Sequence, residues 1–216
     1  MLTFEIDPST FDGCNNPPET RVEDVVLVNP NGNWHLYNHG SLELTRDADI
    51  QYIDLWNVNV PFDQDVLIIG GGDYELAFNL NVKADIVDPC VNLYREFHEF
   101  YLEHDKDTLL KYNSQITNFP YTFGEYVDNY YKRKKYTLTL IDISEPCLGI
   151  TDEIYSEEFF ITLKNKVNCD LFMMYIPPSI YNKLIYWIRK HFSMLYSNEK
   201  FIEDWNERAA VVAFQR

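Results

Sequence analysis

The run Val66-Leu67-Ile68-Ile69-Gly70-Gly71-Gly72-Asp73 sets the architecture expected of this 216-residue chain. Four consecutive apolar residues without alternation suit a central parallel strand covered on both faces. The glycines that follow let the chain turn sharply and let a ligand approach the backbone. Downstream, residues 84–88 read as a second strand ending in Asp88, and 91–101 carry apolar residues at helical spacing. A weaker strand is expected at 115–119, a short helix at 122–131, and a strand at 136–141 that ends against Asp142. Residues 170–176 form another strand, Pro177-Pro178 opens a helix over 179–195, and 200–205 with 209–214 form a closing antiparallel pair. Strands alternating with helices predict a doubly wound α/β sheet.

Working back from Val66, the pattern changes. Val25-Val26-Leu27-Val28 is a β-branched run, and Asn31-Gly32 after it is a hairpin turn signal. Residues 34–37 read as the return strand and 42–45 alternate like a half-buried strand, with a short helix over 49–60 leading inward. Two units are expected: an N-terminal β-hairpin domain over 1–60 and a Rossmann-like, nucleoside-binding domain over 61–216.

Composition narrows the function. The chain has 34 acidic and 18 basic side chains, a formal charge of −16, 46% hydrophobic residues and 16% aromatic residues, which argues against a disordered tail. The one dense basic run is Lys132-Arg133-Lys134-Lys135, and a nucleic-acid binder needs a basic face, so no nucleic-acid partner is expected. No apolar run reaches the ~20 residues of a membrane span. The start, Met1-Leu2-Thr3-Phe4-Glu5, lacks the basic and apolar regions of a secretory signal. The four cysteines, at 14, 90, 147 and 169, are dispersed, so neither a zinc site nor a disulfide framework is expected, and a reducing, cytoplasmic setting fits. The histidines lack metal-ligand spacing, and no metal is assigned.

In an open α/β sheet, ligands bind beyond the carboxyl ends of the strands. The residues there are Gly70, Gly71, Gly72 and Asp73 after the first strand, Asp88 after the second, and Asp142-Ile143-Ser144-Glu145-Pro146 after the fourth. An acid about 20 residues beyond such a glycine turn can accept both hydrogen bonds of a ribose diol, and Asp88 stands near that separation. The run lacks the Gly-Lys-Ser/Thr ending of a phosphate loop, and Asp73 would repel phosphate. Acids beside a nucleoside favour a cation, and a sulfonium or a primary ammonium fits.

These segments resemble the polyamine aminopropyltransferases, the spermidine and spermine synthases, over residues 25–216. The family's Val-Leu-Ile-Ile-Gly-Gly-Gly-Asp is met by residues 66–73, its Asp-Ser-x-Asp-Pro by 142–146, and its Leu-Tyr-Ser-x-Glu-Phe-Tyr by 154–160. Its N-terminal Asp-Gly-x-x-Gln and Asp-Glu-x-x-Tyr pattern is met across 38–54, which includes Glu43 and Tyr52. The resemblance implies a compact, divergent member with a methyltransferase-like Rossmann fold behind a small N-terminal β domain. The implied reaction is aminopropyl transfer from decarboxylated S-adenosylmethionine to an amine of the putrescine or spermidine type, with no permanently bound cofactor and with methylthioadenosine as the leaving group.

Carried over by position, the resemblance implies that Asp73 and Asp142 hold the ammonium of the aminopropyl group and that Asp142 takes the proton of the attacking amine. Asp88 would bind the ribose, Tyr52 and Glu145 would line the reacting centre, Glu43 would lie near the methionine-derived moiety, and Asn118 would meet the adenine amino group. A homodimer through the N-terminal strands is likewise implied. Tyr74 and Glu75 replace two glycines of the family pattern, and Glu203-Asp204-Trp205-Asn206 stands where the family has Pro-Thr-Tyr-Pro. Two alternatives remain open on the same fold: a methyltransferase using S-adenosylmethionine itself, and a catalytically lapsed binding protein.

Overall fold

The structure is a computed structural model. It describes residues 25–28, 35–38, 41–45, 50–56, 64–71, 76–77, 80–89, 110, 114–143, 154–202 and 207–216. Strands β1 (Val25–Val28), β2 (His35–Asn38) and β3 (Ser41–Thr45) form a three-stranded antiparallel sheet, as the β-branched run and the alternation at 42–45 lead one to expect. Helix α1 (Ile50–Trp56) follows and ends with Leu55 and Trp56 fully buried. The side-chain amide of Asn198 ties this end down by donating to the Leu55 carbonyl at 3.0 Å.

The second sheet has seven strands in the order β6-β5-β4-β7-β8-β10-β9. Strands β4 (Asp65–Gly70), β5 (Lys83–Val87), β6 (Ile116–Phe119), β7 (Leu138–Asp142) and β8 (Leu171–Ile176) run parallel. Strand β10 (Glu207–Gln215) lies antiparallel between β8 and β9 (Ser193–Ile202). The chain therefore steps outward from β4 through β5 to β6, then returns to place β7 on the other side of β4. That reversal is the switch point at which open α/β sheets leave a crevice.

Alternate residues of each central strand feed two separate apolar layers, as the pleat requires. Val66, Ile68, Leu138, Leu140 and Ile86 face one layer, with Leu55, Trp56, Leu76 and Ala77 packed over them. Leu67, Ile69, Ile141, Phe172 and Met174 face the other. That second layer is covered by α2 (Phe123–Glu125), α3 (Glu157–Lys166) and α4 (Tyr181–His191), through Phe123, Phe159, Phe160, Leu163, Leu184 and Ile188. The result is the Rossmann-like, methyltransferase-type doubly wound sheet expected from the sequence, with a small N-terminal β sheet before it.

The element ends differ from expectation where tertiary partners intervene. The helix expected over 179–195 stops at His191, and Phe192 is extended (φ −135°, ψ 165°) with its N–H on the Ile188 carbonyl. Leu195 continues the apolar helical spacing but lies in β9, because the residues on either side of it, Met194 and Tyr196, pair with Phe214 and Ala213 of β10; Leu195 itself is the extra residue of a bulge there. The strand expected at 136–141 runs over Leu138–Asp142 instead, since the Tyr136 and Thr137 N–H groups are taken by Asn168 and Asp65. The short helix expected at 122–131 is present as α2 followed by a π-helical turn, Tyr126–Tyr130. The helix expected at 91–101 lies outside the described residues.

Candidate functional site

Strand β4 ends at Gly70 with φ +83°, and Gly71 follows at φ +65°. Both lie in the left-handed region that side chains disfavour. Gly70 pairs with Asp142, the last residue of β7. A Cβ on Gly70 would sit 1.9 Å from the Asp142 carbonyl oxygen and 2.8 Å from Ile143 Cγ1, so no side chain fits there. The Gly71 N–H then donates to the same Asp142 carbonyl at 3.0 Å. Glycine is thus required for close approach of two backbones as well as for the turn.

Asp142 is half-buried at this rim. Asp88 lies one residue beyond β5, also half-buried, with its N–H donating to the Phe119 carbonyl at 3.1 Å. Ile69 pairs with Val87 on one side and with Ile141 on the other. One step further along, Asp88 and Asp142 flank Gly70 at the same level of the sheet, two strand spacings or about 10 Å apart. The pleat assigns Asp142 to the side of Leu140 and Ile68, the side that α1 covers.

The remaining expected site residues divide. Asn118 pairs with Ile86 on the edge strand β6, exposed and one register position short of the strand's end. Glu43 lies on β3 and Tyr52 on α1, placed by their backbones. Gly72, Asp73 and Glu145 lie outside the described residues. The structure therefore brings Gly70, Gly71, Asp88 and Asp142 together, and sets Asn118 lower on the edge strand.

Three features at or near the rim escaped the sequence reading. Thr122 and Glu125 form a reciprocal capping box, with Glu125 N–H on Thr122 Oγ1 at 3.3 Å and Thr122 N–H on Glu125 Oε2 at 3.0 Å. Its Thr-x-x-Glu spacing was visible in the sequence. Tyr121 stacks on Tyr130 with ring centroids 3.9 Å apart. Tyr155 is buried and donates its hydroxyl to the Ile143 carbonyl at 3.1 Å.

At the opposite end of the strands lies a buried polar cluster. Tyr136 donates to Asp85 Oδ2 at 2.7 Å, and Lys134 donates to the same oxygen at 2.9 Å while pairing with Asp65 at 3.0 Å. The Tyr136 hydroxyl has one proton and gives it to Asp85, so Tyr126, 2.8 Å away, is the donor to Tyr136. Burial, reinforced by the bonds to Tyr126 and Asp85, pushes the Tyr136 phenol far above its ordinary range. Burial opposes the charge on Lys134, but its bonds to Asp85 and Asp65 outweigh that and raise its pKa. Of the basic run, Lys132, Arg133 and Lys135 are exposed, whereas Lys134 is committed to this cluster.

The fold and rim place the chain among Rossmann-like α/β proteins built on the methyltransferase plan. No family model matches the chain. A curated relative, polyamine aminopropyltransferase 2 of Aquifex aeolicus (strain VF5), is 24% identical over 176 residues; the match covers 78% of this chain and 36% of the relative's length. The solved spermidine synthase of Thermotoga maritima superposes with a TM-score of 0.69 at 17% identity, covering 88% of this chain and 68% of that one. An N-methyltransferase of Bradyrhizobium japonicum WM9 superposes with a TM-score of 0.53 at 7% identity, covering 77% of this chain and 91% of that one. The proteins it is similar to are thus named as transferases, and the likeness to the solved structures is one of fold.

Proposed function

We propose that this chain carries out aminopropyl transfer, moving the aminopropyl group of decarboxylated S-adenosylmethionine to an amine of the putrescine or spermidine type. The observation that carries the reading is the pair of half-buried carboxylates, Asp88 and Asp142, flanking the Gly70 turn at the switch point. Similarity to a curated polyamine aminopropyltransferase supports it, as does the higher TM-score to a spermidine synthase than to an N-methyltransferase.

In this reading Asp88 accepts the ribose hydroxyls, while Asp73 and Asp142 hold the ammonium of the aminopropyl group. The acceptor amine must be neutral to react. Its lone pair attacks the carbon next to sulfur, the carbon–sulfur bond breaks with its electrons going to sulfur, and the amine proton passes to the Asp142 carboxylate. Holding two cationic reactants in line supplies much of the acceleration. Tyr52 and Glu145 line the reacting centre, Glu43 lies toward the methionine-derived chain, and Asn118 toward the adenine. The 1–60 and 61–216 division, a homodimer and a cytoplasmic setting belong to the same proposal.

The test is incubation of purified protein with decarboxylated S-adenosylmethionine or S-adenosylmethionine, each with putrescine and with spermidine. Methylthioadenosine released in an amine-dependent way is the expected product. S-adenosylhomocysteine would replace this reading with methyl transfer, and no product with any combination would replace it with a binding role.

A further inference from the structure

The backbone leaving β7 is held from two directions. The Asp142 carbonyl accepts the Gly71 N–H at 3.0 Å, and the next carbonyl, that of Ile143, accepts the Tyr155 hydroxyl at 3.1 Å. Tyr155 is 2% exposed and belongs to the apolar layer that also holds Ile154, Phe159 and Phe160. It directly precedes Ser156, whose hydroxyl accepts the Phe159 N–H at 3.3 Å and caps α3. The ring is therefore locked by packing and by a capped helix. Packing alone calls for a ring of this size, which phenylalanine also provides. The hydroxyl adds a fixed donor aimed at the peptide that follows Asp142.

Because peptide units are planar, fixing these two successive carbonyls restrains the Ile143 backbone between them, so the chain leaving β7 is anchored directly after Asp142. We infer that Tyr155 is a positioning residue for the transfer reaction, holding the Ile143 carbonyl and through it the aim of the Asp142 carboxylate. This rests on the reading of Asp142 as the proton acceptor.

The experiment compares wild type, Tyr155→Phe, Asp142→Asn and the double variant. Turnover is measured as methylthioadenosine release per site titrated with methylthioadenosine, which divides out any loss of folded protein. In Tyr155→Phe, kcat falls about tenfold, the scale expected when a reacting group is slightly misaimed. Both KM values stay within about twofold, as for an interaction that acts on the transition state. In the Asp142→Asn background the same change costs nothing further. An unchanged kcat, a raised KM with kcat intact, or an equal loss in both backgrounds overturns the inference. Wild-type protein that forms no product sinks the reading of the site itself. Wild-type turnover matched by Tyr155→Phe sinks only the role of the hydroxyl.

Discussion

Gly70 and Asp142 face each other at the last register position of β4 and β7, so closely that a Cβ on Gly70 would stand 1.9 Å from the Asp142 carbonyl oxygen. The two residues join the turn that opens the rim to the carboxylate that stands in it. A change at either one acts on both.

Gly70→Ala should therefore destabilise the fold by about 3 kcal/mol or more, since it adds a backbone clash to a left-handed conformation. Gly71 is less constrained: its φ is +65° and a Cβ would meet Ile68 Cγ2 at 3.1 Å. Gly71→Ala should cost about 1–2 kcal/mol, mostly conformational. Denaturant unfolding of the two variants measures the difference. Equal losses would remove the special contact claimed for Gly70.

Asp142→Asn keeps the shape of the side chain and removes its capacity to accept a proton. Turnover should fall at least ~100-fold, the usual scale of a lost general base. Binding of methylthioadenosine, measured by calorimetry, should change far less. A variant that retains full turnover would show that the proton goes elsewhere.

Tyr136 links Tyr126 to Asp85 in the cluster at the far end of the sheet. Tyr136→Phe strips one bond from a buried carboxylate and leaves the Tyr126 hydroxyl without its acceptor, so it should cost about 2–3 kcal/mol. Tyr126→Phe removes only the outer link and should cost about 1 kcal/mol. Urea melts of the single and double variants give the coupling, and simple additivity would contradict a continuous chain of bonds.

Glu157, at the start of α3, contacts Lys190 and His191 at the end of α4, at 2.7 Å and 2.8 Å. The bond from Lys190, followed by that from His191, holds the Glu157 carboxyl below its ordinary range. A depressed carboxylate pKa contributes stability that is complete above the unfolded value of about 4.3 and is lost as pH falls through the folded value. The melting temperatures of wild type and Glu157→Gln should differ at pH 6 and converge once pH has fallen through the folded value. A gap of constant size across that range would rule out the ionised contact as its cause.

How much of this was legible depends on the range of the interactions involved. The strand at Val66–Ile69, the sharp turn after it and the acids at strand ends were readable because an unbroken apolar run, a glycine cluster and a terminal carboxylate are local signals. The same local signals misread Leu195, whose helical spacing is genuine but whose neighbours Met194 and Tyr196 are paired with β10. They also gave no hint that Asp85, inside a strand, would be buried against Tyr136 and Lys134, because those partners lie 51 and 49 residues away.

Residue pattern alone thus settled the class of sheet, the position of its glycine turn and the kinds of side chain at its rim. Strand order decided the rest. Asp88 and Asp142 come to flank the same Gly70 turn because β4 pairs with both β5 and β7, and Tyr155 reaches Ile143 only because α3 folds back over that face. Periodicity records which side of an element is apolar, but not which elements will pair, and a binding rim is made of residues that pairing brings together.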